Sequence, residues 1–406
     1  MGRVDQLIRQ LESGDPKERY QAASALGQLG DPKAVPALLQ ALDDEDPNVH
    51  IAAARAVGKI GDLNAIQNLL DAYERRTVQF AEPIFDAIGE ILDRTDPDDE
   101  KSREVFSRVV DRLVGIVQKD NTPIDLFHAS QAAEALGKTR DPKAIPVLTE
   151  KLREGKHEEI ARTAARALRY FDDSQATQAL IQAATNKNLS VDAQVAAMQS
   201  LADIGKPEFV DPLIRILEDR PAGHTIRSAA ARALGRIGDP KAIESLIRIL
   251  ETEKDDSYSP SQAIAEALGA FRDPRVIDAL IGALVLHRYI AHAAAKSLKK
   301  LRDPRAVEPL IKLVDPSDDK ANYSEQERAL AAQILGVLGD PRAIPALVNA
   351  LHDHDADIRK AARESLLAFV PTHPDAILRL PPDDRHRLGR QIQDSEREEL
   401  LQEVCK

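Results

Sequence analysis

The sequence predicts an all-α solenoid of about eleven stacked helix pairs, closed by a capping helix at the C-terminus. Three observations carry this. A turn phrase, Gly-Asp-Pro then a basic residue, Ala and Ile or Val, recurs at roughly 33-residue intervals, the length of a two-helix repeat unit. Between turns, the apolar residues fall into two helix-period stripes. Only 3% of the 406 residues are aromatic and none is Trp, so the core is not built of large rings.

The turn comes first. Its Asp, or the residue equivalent to it, falls at Asp31, Asp62, Asp96, Asp141, Asp173, Lys206, Asp239, Asp273, Asp303 and Asp340. Asp31 suits an N-cap, because its carboxylate accepts from main-chain N–H groups of the first turn. Pro32 suits the next position, where a missing N–H costs nothing. Gly30 suits the end of the preceding helix, where positive φ is required. The same three residues recur at Gly238-Asp239-Pro240 and Gly339-Asp340-Pro341. Each phrase therefore ends one helix and starts the next.

Two helices fit between successive turns. In the first (A), Val35, Leu38, Leu39 and Leu42 fall at i, i+3, i+4 and i+7, one apolar face. In the second (B), Val49, Ala53, Ala56, Val57 and Ile60 face inward. Alanine lets neighbouring helices approach closely, so a core without large rings still reaches native density. The pairs run from Val4 to a last B helix ending near Ala368. The third repeat is enlarged near residues 93–124, with an acidic start and a long A helix around Val105–Val117. Loops at Lys254–Pro260 and Asp315–Ser324 are also enlarged. The predicted division is a repeat solenoid over 1–370 and a capping segment over 371–406. In the latter, Pro374, Pro381 and Pro382 interrupt the chain before a charged helix over Asp384–Val404.

Composition excludes several classes. The single cysteine, Cys405, supports neither a disulfide framework nor a cysteine zinc site. The opening residues, MGRVDQLIRQ, carry no apolar leader pattern, and no apolar run reaches membrane-spanning length. A cytoplasmic protein is expected. The net charge of -12 disfavours nucleic acid as a partner, because phosphate binding wants a continuous basic track.

The GDP-[KR]-A-[IV] turn and the helix phrases Ala229–Asp239 and Ala52–Asp62 resemble the HEAT-repeat family, in the short form found in phycobilisome lyases. The resemblance covers most of the chain. It implies a right-handed superhelix with A helices outside and B helices lining a concave groove, in a family of scaffolds, assembly factors and a few enzymes.

Aligning the B helices on the Leu of the ALG phrase (Leu26 in the first) gives two outward rows. The row two residues before it reads Ser24, Arg55, Asp86, Glu134, Arg166, Gln199, Arg232, Glu266, Lys296, Gln333, Glu364. The row after it reads Gln28, Lys59, Glu90, Lys138, Tyr170, Asp203, Arg236, Ala270, Lys299, Val337, Ala368. The groove is thus mixed to mildly basic, suited to another protein or a small anion. Arg162, Arg166, Tyr170, Arg232, Arg236, His292 and Lys296 form the candidate partner-binding patch. Arginine pairs bidentately with carboxylates and tyrosine stacks. The competing reading is a solvated charged face paired with its own acidic neighbours, such as Glu266.

No catalytic residues are assigned. A di-iron hydroxylase resemblance would require several His-Glu pairs on B helices, and only His157-Glu158 occurs. His352-Asp353-His354-Asp355 has metal-ligand residue types but sits in an inter-helix loop where polar residues belong anyway. Cys405 has no activating partner beside it in sequence, and no phosphate-loop, dinucleotide or nucleophile-elbow motif occurs. The predicted function is a non-catalytic protein-binding scaffold without cofactor. The alternative implied by the resemblance is a bilin lyase or tetrapyrrole chaperone acting on a phycobiliprotein, with Arg166 and Arg232 for the propionates and Tyr170 for the rings.

Overall fold

The computed structural model describes residues 2–75, 81–96, 103–119, 122–253, 260–314 and 323–384. Among these, all regular structure is helical. The helices are α1 (Arg3–Gln10), α2 (Pro16–Leu29), α3 (Val35–Gln40), α4 (Pro47–Ile60), α5 (Leu63–Arg75), α6 (Ala81–Arg94), α7 (Arg103–Gln118) and α8 (Pro123–Lys138). They continue with α9 (Ala144–Glu154), α10 (Glu158–Leu168), α11 (Ser174–Thr185) and α12 (Val191–Ile204). Then follow α13 (Val210–Glu218), α14 (Gly223–Ile237), α15 (Ile243–Thr252), α16 (Ser261–Leu268), α17 (Pro274–Ala283) and α18 (Arg288–Leu301). The last are α19 (Val307–Val314), α20 (Glu325–Leu338), α21 (Ile344–Ala350), α22 (Ala356–Phe369) and the short α23 (Pro374–Leu378). Odd-numbered helices up to α21 are A helices and even-numbered ones to α22 are B helices. The described residues thus form eleven pairs, the number read from the turns.

The chain divides into two compact units at Ile204/Gly205. Each is an all-α stack in which every A helix packs on its own B helix and successive B helices pack on one another: α2 on α4, α4 on α6 and α8 on α10 in the first unit; α14 on α16 and α20 on α22 in the second.

The turn chemistry takes the form the sequence implies. Asp31, Asp239 and Asp340 accept from Lys33, Lys241 and Arg342 main-chain N–H groups at 3.0, 2.9 and 3.0 Å. Gly30, Gly238 and Gly339 close the preceding helices at φ +73°, +72° and +70°. At two turns without glycine an arginine takes the left-handed position, Arg140 at φ +53° and Arg302 at φ +50°. In the second unit the turn's arginine also folds onto its own Asp: Arg275, Arg305 and Arg342 reach Asp273, Asp303 and Asp340 at 2.9, 2.6 and 2.7 Å. These guanidinium bonds hold the three carboxyls below the usual range.

B helices meet along a seam of small residues. A Cβ added to Gly27, Gly137 or Gly235 would lie 2.9, 2.8 or 2.7 Å from the Cβ of Ala56, Ala167 or Ala267 on the next B helix. Ser200, Ser297 and Ser365 sit in this seam, each donating to a carbonyl of the preceding B helix: Ala165, Ala265 and Ala332 at 2.8, 2.7 and 2.8 Å. The apolar faces follow the predicted stripes, with Leu26, Leu38, Leu42, Val49, Val57 and Leu234 fully buried. Val35 and Leu39 are only half-buried, because the A helix is short here and tightens to a 3-10 turn over Ala41–Asp43.

α7 realises the long A helix of the enlarged repeat. The acidic stretch at residues 97–102, most of the loops at 254–259 and 315–322, and the final predicted helix beyond Asp384, with Cys405, lie outside the described residues.

Candidate functional site

Both outward rows lie on the exposed side of the B helices. Arg55, Asp86, Glu134, Arg166 and Gln199 in the first unit are exposed, as are Arg232, Glu266, Lys296 and Glu364 in the second. One register needs correction. Lys299 stands where most other B helices carry the seam glycine, one residue before the outward position, which Lys300 occupies. Lys299 is accordingly half-buried, with Nζ donating to Gln333 Oε1 of α20 at 3.0 Å, and burial lowers its pKa.

In the first unit a recess of about 270 Å³ opens across α4, α6 and α8. Arg55 and Lys59 line one wall, Asp86 and Glu90 the floor, Glu134 and Lys138 the other wall. Lys138 is held by Asp93 at 2.9 Å. The next B helix, α10, brings three of the predicted patch residues together. Arg162 is engaged by Glu159 at 2.5 Å. Arg166 is exposed and makes no ion pair among the described residues. Tyr170 is half-buried under Arg169, whose guanidinium lies 4.9 Å from the ring centroid and donates to the phenol oxygen at 3.0 Å. Arg169 also reaches Asp203 at 3.4 Å.

The other four patch residues belong to the second unit, so the sequence patch is two groups, one in each unit. Arg232 faces Glu266 at 3.6 Å, the self-pairing that the solvated-face reading expects. Arg236 is exposed at the end of α14. His292 Nδ1 donates to the Arg288 carbonyl one turn earlier at 2.9 Å. Lys296 is exposed without an ion pair among the described residues. His292 also borders a recess of about 490 Å³ across α18, α20 and α22. Its other charged and amide lining side chains are Arg288 and Lys360, Glu325, Asp357 and Glu364, and Gln326 and Gln333.

Several polar sites were not singled out from sequence. Arg19, Arg227 and Arg328 are almost wholly buried in B helices. Each donates to the end of its own A helix or loop: Arg19 to Ser13 O at 2.9 Å, Arg227 to Leu217 O at 2.7 Å and Arg328 to Val314 O at 3.2 Å. Each also bridges to an acid of the following repeat: Asp44 at 2.7 Å, Glu253 at 2.9 Å, and Asp353. Burial pushes the Glu253 carboxyl up, but the bonds and charge of Arg227 outweigh it and leave the group below its ordinary value. Asp353 behaves likewise, with the Asp355 N–H and Arg328 outweighing burial.

The His352–Asp355 segment, considered above as a metal site, is spent on internal bonds. Asp353 serves the Arg328 bridge, Asp355 caps α22, and His352 Nε2 lies 2.7 Å from Asp384. No group of three or more metal-ligating side chains converges among the described residues, and no described helix is long and apolar enough to cross a membrane. In the first unit, Tyr73 packs edge-on to Phe85 and His128, its hydroxyl 2.8 Å from His128 Nδ1. Burial pushes the Tyr73 phenol up to about 12 and lowers the His128 pKa.

Comparison with known families matches HEAT repeats at residues 4–81, 145–223, 190–261, 252–323 and 320–380. A PBS lyase HEAT-like repeat matches at residues 129–154. No curated protein matches the chain. Among solved structures, karyopherin Kap121p bound to the extreme C-terminus of the phosphatase Cdc14p is similar at 17% identity. It covers 92% of this chain and 47% of that one, with a TM-score of 0.54. Kap121p bound to Ste12p gives 15%, 92%, 46% and 0.55, and a Kap95p structure with RanGDP gives 16%, 96%, 54% and 0.54. This chain spans about half the length of these karyopherins. At such identities the likeness concerns the fold.

Proposed function

The chain belongs to the HEAT-repeat family, and from that premise we propose that it is a non-catalytic scaffold or assembly factor that works in the cytoplasm and binds another protein through its B-helix face. The observation that carries this reading is the state of the outward cations. Arg166 and Lys296 stand exposed without an ion pair among the described residues, in a chain of net charge -12. In the first unit, exposed Arg166 and half-buried Tyr170 offer carboxylate pairing and contact area, and in the second, exposed Lys296 offers a further site for a carboxylate. The fold's likeness to karyopherins seen with protein segments bound, a Cdc14p terminus and Ste12p, supports the same reading.

Affinity purification of the full chain followed by mass spectrometry tests it. A stoichiometric protein is expected, lost on Arg166→Glu. Recovery of no such protein, together with turnover of a small molecule, contradicts it.

The repeat match at 129–154 favours a second reading, binding of an open-chain tetrapyrrole for delivery to a phycobiliprotein. Under it, the purified chain mixed with free bilin keeps visible absorbance through gel filtration, and Arg166→Ala or Arg232→Ala weakens the colour. A colourless protein fraction removes this alternative.

A further inference from the structure

α18 carries no acidic residue. Arg288, His292, Lys296 and Lys299 fall at i, i+4, i+8 and i+11 along it, within one face of the helix. Arg288, His292 and Lys296 are exposed. Unlike Arg232 on α14, which faces Glu266, neither Arg288 nor Lys296 is in an ion pair among the described residues. Three acids, Glu325 on α20 and Asp357 and Glu364 on α22, border the same recess, but among the described residues none is ion-paired with Arg288 or Lys296. α20 presents Gln326 and Gln333, amides that both donate and accept. On α16, Glu266 is engaged by Arg232 at 3.6 Å and by Gln262 at 3.3 Å. Glu325, at the start of α20, lies 3.9 Å from His354. Tyr289, next to Arg288, is 66% exposed.

Arg288 and Lys296 thus leave on this face a stripe of exposed positive charge that the described residues do not pair, open to an acidic ligand. We propose that this stripe docks an extended acidic segment of a partner protein, with carboxylates at alternate residues. The spacing selects that shape. Four residues of helix advance about 6 Å. Two residues of extended chain advance about 6.6 Å and return the side chain to the same face. Carboxylates at alternate residues therefore meet Arg288, His292 and Lys296 in turn. The Gln326 and Gln333 amides are placed for the segment's main chain, and Tyr289 offers a ring at the end of the track. A nucleic-acid duplex would need a longer run of phosphate contacts than one helix supplies.

The proposal rests on the B-helix face being the binding face, and its test separates the two. A fluorescein-labelled (Glu-Ser)4 peptide is titrated into the full chain by anisotropy, with (Gln-Ser)4 as the uncharged control. The Glu peptide is expected to bind, more weakly as salt rises, and the Gln peptide not to bind. Arg288→Glu with Lys296→Glu weakens binding by at least about tenfold, the loss of charge-assisted bonds. Lys17→Glu with Lys33→Glu, an equal change of net charge in the first unit, leaves it nearly unchanged. Circular dichroism confirms that both variants fold. Equal loss in both variants, equal binding of the two peptides, or tighter binding of an oligonucleotide of the same charge overturns the proposal. If the peptide fails while a purified partner still depends on Arg166, the binding face stands and only this assignment falls.

Discussion

At the scale of the residue, the most informative side chains are three arginines inside the stack. Arg19, Arg227 and Arg328 each lie seven residues before the buried leucine of their helix: Leu26, Leu234 and Leu335. Seven residues is nearly two turns, so the periodicity already placed them on the inward face. Their charge argued for solvent, and no apolar-pattern reading overrides that without a buried acid to pair with. The acid comes from the next repeat's loop, about 25 residues on, and the pairing becomes visible only once the repeats are stacked. Arg227→Leu leaves the buried Glu253 with only the more exposed Arg220, at 3.0 Å, as partner, a loss of about 3 kcal/mol in urea unfolding. Arg227→Leu with Glu253→Leu recovers much of it. The pair also sets a pH dependence. Because Glu253 is held below its ordinary value in the folded state, its contribution is present above the usual carboxylate range and lost as pH falls through the depressed value. Acid unfolding followed by circular dichroism should show part of this dependence gone in Glu253→Gln.

At the scale of the element, the helix ends were legible because glycine, aspartate and proline each do one thing. Gly30, Gly238 and Gly339 take left-handed φ, and the aspartates cap. Arg302 takes the same backbone conformation without being glycine, so Arg302→Gly is expected to raise stability by about 1 kcal/mol, measured as a rise in denaturation midpoint. The seam glycines were less legible. In sequence, Gly235 looks like a helix-weakening residue. In the stack it admits Ala267 at contact distance, and an added Cβ would lie 2.7 Å from the Ala267 Cα. Backbone cannot give way as a side-chain tip can, so Gly235→Val should cost about 1–3 kcal/mol by overpacking and lower the melting temperature. The same seam explains why Lys299 was assigned to the outward row. It replaces a glycine, and a lysine looks outward-facing until its glycine register is counted.

At the scale of the whole molecule, the number of helix pairs followed from turn spacing alone, since each turn both ends and begins a helix. The division at Ile204/Gly205 did not, because the repeat phrase continues across it through Gly205 and Pro207. Nor did the distribution of satisfied and unsatisfied cations. Arg162 and Arg232 look alike with Arg166 and Lys296 in sequence, but the first two meet Glu159 and Glu266. The Arg162–Glu159 contact is an i,i+3 pair that spacing can supply, whereas Arg232–Glu266 crosses repeats and depends on side-chain reach that no spacing rule encodes. The proposed function rests on that remainder, the exposed charge that the described residues do not pair. Lysine cross-linking of the purified partner complex, read by mass spectrometry, tests it most directly. Links at Lys59, Lys296 and Lys300 on the B-helix face, with few at the turn lysines Lys33, Lys143 and Lys241, are predicted. Links concentrated at the turn lysines would contradict the account.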